Sequence, residues 1–199
     1  MREINDRTSE GAMLNNIGDT FRQEGRYADA LAYYRLAIRS ARENKNQRVL
    51  EVALVNAAQM YIRTGNLREA LQLLEEAQAI NRTTEDPQVR AEMLQTLGEI
   101  YLIRKELTQA LDRSVSAAAI ARELGDRDVE WRAQWVIARC RWGRGDREEA
   151  LAAANLSLQA LDSLIEEANP HDQKRLSRER SDIAAVVEEW RRITDDFRA

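Results

Sequence analysis

A nucleophile and a base must meet to do covalent chemistry, and this chain carries one cysteine, Cys140, and one histidine, His171. The two are far apart in sequence. Cys140 sits in a helical pattern and reads as a small packing residue. Carboxylates are plentiful, but they alternate with arginine at helical spacings, as Glu69 and Glu75 do around Arg68, which is the pattern of a solvated face. No metal-ligand spacing, phosphate-cradling glycine loop or nucleophile elbow occurs. The expectation is a non-enzymatic protein with no cofactor and no metal. Binding chemistry is better represented. Arg132, Trp135, Arg139 and Trp142 lie three and four residues apart, on one face of a helix. Arg and Trp are the types most enriched where proteins grip one another. A protein or peptide with acidic and apolar side chains would suit that stripe.

The elements that position these residues follow from a period. Ala30-Leu31, Ala70-Leu71, Ala110-Leu111 and Ala150-Leu151 are spaced by 40 residues each time. A fixed period of that size marks a stacked repeat array. Two prolines and eight glycines in 199 residues leave the chain free to be helical nearly throughout. The spacing predicts helix pairs over 9–24 and 27–43, 49–64 and 67–82, 87–104 and 107–124, and 128–142 and 147–167. Ser9 is the expected N-cap of the first helix. Gly25 and Gly65-Asn66 are turns, and Lys105-Glu106 stands where a glycine turn is expected. Arg144-Gly145-Asp146 matches a cell-adhesion tripeptide, but it falls on an ordinary turn and reads as coincidence. Gly18, Ala58, Gly98 and Ala138 form one small column, and Ala37, Ala77, Ala117 and Ser157 another. Small residues facing large ones let the two helices of a hairpin approach closely.

Residues 1–8 are similar to segments 40 and 120 residues further on, where a second helix ends and turns. They read as the tail of a preceding repeat or an N-terminal extension, which suits a piece of a longer array. Repeats then occupy about 9–46, 47–86, 87–126 and 127–168. Asn169-Pro170 opens a last helix over 171–197, a capping or linker element over 169–199. Its apolar residues Leu176, Ile183, Trp190 and Phe197 are seven apart. That spacing allows two arrangements: a cap on the last hairpin, or a coiled-coil linker to a dimer partner or output domain. If it is a cap, Trp135 and Trp142 are covered and Asp182, Glu188 and Glu189 could meet the arginines. Charge gives no steer towards nucleic acid or membrane: 30 basic and 34 acidic residues are interspersed, for a net charge of −4. No signal peptide and no run of about 18 apolar residues is present. The lone cysteine fits a reducing, cytoplasmic setting.

These columns resemble the tetratricopeptide repeat. The residues that carry the likeness are Leu14, Ile17-Gly18, Phe21, Ala30, Tyr34 and Ala37, and again Leu94, Leu97-Gly98, Tyr101, Ala110 and Ala117. The usual repeat is about 34 residues; at 40, this one is similar to the repeats of G-protein-signalling modulators and kinesin light chains. The resemblance implies an all-α, right-handed superhelical solenoid of four antiparallel hairpins plus a long C-terminal capping helix. It also implies a groove lined by the first helix of each hairpin. The groove positions are Asn15, Asn16 and Asp19, then Asn56 and Gln59, then Gln95 and Glu99, then Arg132, Trp135, Arg139 and Trp142. Asn16 and Asn56 resemble amides that hold a peptide backbone. The clamp with which chaperone-binding relatives grip a C-terminal carboxylate is not matched, because Asn15 and Asp19 stand where it needs Lys and Asn. The function implied is a protein–protein interaction scaffold. A second reading is a sensor or oligomerisation module of a larger bacterial signalling or effector protein, of the regulator or CHAT-protease type.

Overall fold

The computed structural model describes the backbone of residues 2–196 and the side chains of residues 10–195. Nine α-helices and no strand are found among the described residues: α1 Arg2–Gln23, α2 Tyr27–Glu43, α3 Gln47–Arg63, α4 Leu67–Thr84, α5 Pro87–Ile103, α6 Leu107–Leu124, α7 Arg127–Arg144, α8 Arg147–Glu167 and α9 Pro170–Asp196. The chain is an all-α helical repeat fold. It forms two compact units, residues 1–96 and 97–199.

The start of α1 differs from the expectation. The backbone is already helical at Arg2, so Ser9 is inside the helix and no turn precedes it. The repeat register gives the reason. Ser9 is the counterpart of Val49, Val89 and Val129, the third residue of α3, α5 and α7. The true caps lie three residues earlier. Asn46, Asp86 and Asp126 each accept a hydrogen bond from the backbone N–H of the valine three residues on, at 3.2, 3.3 and 3.0 Å. These Asx caps, 40 residues apart, satisfy donors that a helix start leaves orphaned. Asn169 caps α9 as its sequence predicts, accepting from the N–H groups of His171 and Asp172.

The inter-helix turns share one conformation. Gly25, Gly65 and Gly145 have φ of 75°, 79° and 90°, and Lys105 fills the same place at φ 62°. A left-handed backbone disfavours any residue with a Cβ by roughly 1–2 kcal/mol. Lys105→Gly should therefore raise stability by about 1 kcal/mol, read as a higher denaturation midpoint with an unchanged slope.

In the first unit the hairpin contacts follow the small columns. A Cβ on Gly18 would lie 2.6 Å from the ring of Tyr34, which is fully buried. A second device is polar. Glu51, buried in α3, accepts hydrogen bonds from Asn81 and from Thr84 Oγ1 (2.7 Å), and Asn81 also donates to the carbonyl of Asp86 (3.0 Å). The carboxylate thus holds the α4–α5 turn, where Glu85 takes a left-handed φ of 51°. In the second unit α7 and α8 pair, and Ser157 donates to the carbonyl of Trp131 (2.9 Å). The core of that pair is completed by Leu176, Ile183, Val187 and Trp190 of α9. The last helix is a cap on its own hairpin. Arg191 to Asn155 (2.9 Å) and the Arg180–Asp162 ion pair fix its register on α8. Phe197, the last residue of the heptad series, lies outside the described residues.

Candidate functional site

The first-helix faces hold the sequence-predicted groove residues, and the two units treat them differently. In the first unit the polar residues near the start of the groove bind one another. Asn56 Nδ2 donates to Asn15 Oδ1 (3.0 Å), and Asn15 Nδ2 donates to Asp19 Oδ2 (3.2 Å). The other oxygen of Asp19 accepts from the Tyr34 hydroxyl (2.8 Å) and from Arg22 Nε (3.4 Å). Asn15 and Asn56 are buried, so this chain of amides stitches α1 to α3. Burial, and then the Asp19 charge, push the Tyr34 hydroxyl pKa well up, so it stays a donor. Gln59 reaches Thr96 Oγ1 at 3.5 Å, and Gln95 is buried. Of the early positions, Asn16 alone is exposed, with Asp19, Gln59 and Glu99 half-buried.

What the first unit leaves open is the outward face of α1. Met13, Asn16, Ile17 and Thr20 are all exposed, Met13 at 56% and Ile17 at 41%. Their counterparts one repeat on, Ala53, Asn56, Ala57 and Met60, are all buried, because α1 and α2 pack over α3. In α7 the counterparts Ala133, Val136 and Cys140 are buried and Ile137 is half-buried. Sequence reasoning placed Asn16 here but missed the apolar members Met13 and Ile17, whose columns hold large residues again at Met93, Leu97 and Ile137 and so give no signal of exposure.

In the second unit the Arg and Trp stripe is closed. Trp190 of α9 lies parallel to Trp142, with ring centroids 4.4 Å apart and planes at 4°, and stacks on Trp135 at 5.6 Å. Arg147 covers the Trp142 ring, its guanidinium carbon 3.8 Å from the centroid. Offset or parallel aromatic pairs of this kind add about 0.5–1.5 kcal/mol each beyond the area they bury. The ion pairs seen among the described residues differ from the expected pairing of α9 acids with the stripe arginines. Arg132 is held by Asp128, one turn back on its own helix, and Glu188 pairs with Arg191 on α9. Only Arg139 of the stripe is exposed. Cys140 is fully buried, and burial pushes its thiol pKa up, which leaves it unreactive. Among the described residues no group of three or more His, Cys, Asp or Glu is placed to hold a metal ion, and no helix is long and apolar enough to cross a membrane.

Comparison with known proteins agrees with the helical-repeat fold. No curated protein matches the chain significantly. Among solved structures, BtubC (BKLC) from P. vanneervenii is similar at TM-score 0.60 and 15% identity, over 100% of this chain and 92% of that one. A Podosopora anserina kinesin light chain with nearly identical TPR-like repeats gives 0.59 and 16%, over 94% and 95%. The MamA RS-1 ArsTM double mutant gives 0.52 and 16%, over 94% and 97%. At such identities the likeness is one of fold. The family description "MalT-like TPR region" matches residues 4–189, nearly all of the repeats and most of α9. The chain therefore belongs to the MalT-like tetratricopeptide-repeat family.

Proposed function

We propose that the chain is a non-enzymatic protein–protein interaction scaffold that holds a peptide or protein domain against its first-helix face. The open face of α1 is the observation that carries this reading. The counterparts of Met13, Asn16, Ile17 and Thr20 are all buried in α3, and in α5 and α7 they are buried except for the half-buried Leu97 and Ile137. The same columns of α3 are covered by a helical hairpin, so a helical segment of a partner is the shape that suits α1. Covering Met13 and Ile17 would contribute roughly 1.5–3 kcal/mol for each side chain fully buried. Asn16, beside them, can both donate to and accept from a partner backbone. In the second unit Trp190 of α9 covers Trp135 and Trp142, which leaves Arg139 as the exposed member of that stripe.

The test is affinity capture with the whole chain. Wild type and Arg139→Ala should retain the same protein partner, and Met13→Asp/Ile17→Asp should lose it. Retention unaffected by the double substitution, or no protein retained by wild type, would overturn the reading. A second reading is favoured by the family itself, which is described as a region of a protein. In it the chain is the sensor or oligomerisation part of a larger signalling or effector protein, and the α1 face takes a second copy or a further hairpin. Light scattering separates the two: a dimer lost in Met13→Asp/Ile17→Asp supports self-association, whereas a monomer that still captures its partner supports the scaffold.

A further inference from the structure

A cleft of about 390 Å³ opens in the first unit, on the second-helix side and away from the α1 face. Its walls are Arg35, Arg39 and Arg42 of α2, with Tyr61 from the end of α3; its apolar floor is Ile38 and Leu73. Glu43 also lines it, one acid against three arginines. That volume is at the lower end of ligand-sized pockets, roughly 300–1,000 Å³. It suits a few side chains of a peptide.

The three arginines differ in role. Arg42 donates to both carboxylate oxygens of Glu76, at 2.8 and 2.6 Å, and so ties α2 to α4. Its column holds Arg82 and Arg122 in the next two repeats. Arg122 likewise pairs with a carboxylate, Glu130, so this column has a structural use. Arg35 and Arg39 have none of that kind. Both are exposed, and neither enters an ion pair among the described residues. Arg35 leans over Tyr61, its guanidinium carbon 5.8 Å from the ring centroid. The repeat does not call for cations here. The counterparts of Arg35 are Glu75, Val115 and Asn155, and those of Arg39 are Ala79, Ala119 and Gln159. Among the described residues, this hairpin alone has arginines without an ion pair at both of these positions, over an apolar floor and beside an aromatic ring.

We propose that this cleft is a second binding site, for an acidic peptide segment carrying an aliphatic side chain. Guanidinium groups match carboxylates with paired N–H donors, and here two of them are held one helical turn apart. The aliphatic side chain enters against Ile38 and Leu73, an apolar contact that a bare phosphate cannot make. This is the acidic and apolar chemistry that the Arg/Trp stripe of α7 suggested, carried instead by the second helix of the first hairpin.

The experiment is fluorescence anisotropy of the full chain with three labelled, acetylated dodecapeptides. One has a central leucine flanked by Asp and Glu, the second has Asn and Gln in place of the acids, and the third has glycine in place of leucine. The first should bind at least about tenfold more tightly than either other. Arg35→Ala/Arg39→Ala should weaken it by about tenfold, and added salt should weaken it further. Arg82→Ala should leave it unchanged. The thermal melts of both variants should match wild type, because these side chains are exposed. Equal binding of the acidic and amide peptides, unchanged binding by the double variant, or displacement of the peptide by inorganic phosphate would overturn the proposal. Met13→Asp/Ile17→Asp should leave the peptide affinity intact, so the cleft and the α1 face are judged separately.

Discussion

Trp190→Ala should release α9 from the last hairpin and lower stability by about 3–5 kcal/mol, the usual range for truncating a buried tryptophan. Trp190 is 8% exposed and stacks on two other indoles. Its removal opens a gap that neither Trp135 nor Trp142 can fill, since both are anchored on α7. Arg147 would be left with one face of the Trp142 ring and water on the other. Denaturant titration gives the energy, and tryptophan emission gives the place. Emission should shift to the red as Trp135 and Trp142 meet solvent. Trp190→Phe keeps a stacked ring and should lose much less. An alanine variant with unchanged midpoint and unchanged emission would mean that α9 does not close this hairpin.

Gly18→Ala is the second large effect. The added Cβ would lie 2.6, 2.7 and 3.1 Å from three carbons of the Tyr34 ring. The ring has no room to retreat, because it is fully buried and its hydroxyl is held by Asp19 at 2.8 Å. Overpacking of this kind costs about 1–3 kcal/mol, even though alanine favours a helix over glycine by about 1 kcal/mol. The chain itself supplies the remedy. One repeat on, Ala58 and Leu74 occupy the same two positions, both buried. Gly18→Ala/Tyr34→Leu should therefore recover most of the loss. Denaturation midpoints of the two single variants and the double variant measure the coupling. Additive losses would show that the two columns do not meet as the repeat register requires.

The helical hairpins were legible because their determinants are local. The 40-residue period, the small columns and the turn glycines are each read within one repeat, and every predicted helix from α2 to α8 is present with its ends within two residues. The start of α1 was not, because Ser9 has the side chain of an N-cap while the capping column is the one at Asn46, Asp86 and Asp126, three residues earlier in the repeat. The groove was only half legible. Helical spacing puts Asn15 and Asn56 on the inner face, but it cannot show that α1 and α3 approach closely enough for one amide to bind the other. Likewise the heptad spacing of Leu176, Ile183 and Trp190 fits a partner helix and a cap equally well. Which occurs is decided by tertiary packing against Trp135 and Trp142. Arg35 and Arg39 look like any solvated pair until Ile38 and Leu73 are found beneath them.

The central claim is that recognition has an open face at α1 and a closed one at α7. Methionine oxidation measures it most directly, because oxidation follows exposure. Met13 and Met93 occupy the same column two repeats apart, yet Met13 is 56% exposed and Met93 is 2%. Brief peroxide treatment of the whole chain, followed by peptide mapping, should oxidise Met13 rapidly and spare Met93 and Met60. A captured partner should then protect Met13. Met13 oxidising as slowly as Met93 in the free chain, or as fast with the partner bound as without it, would contradict the account.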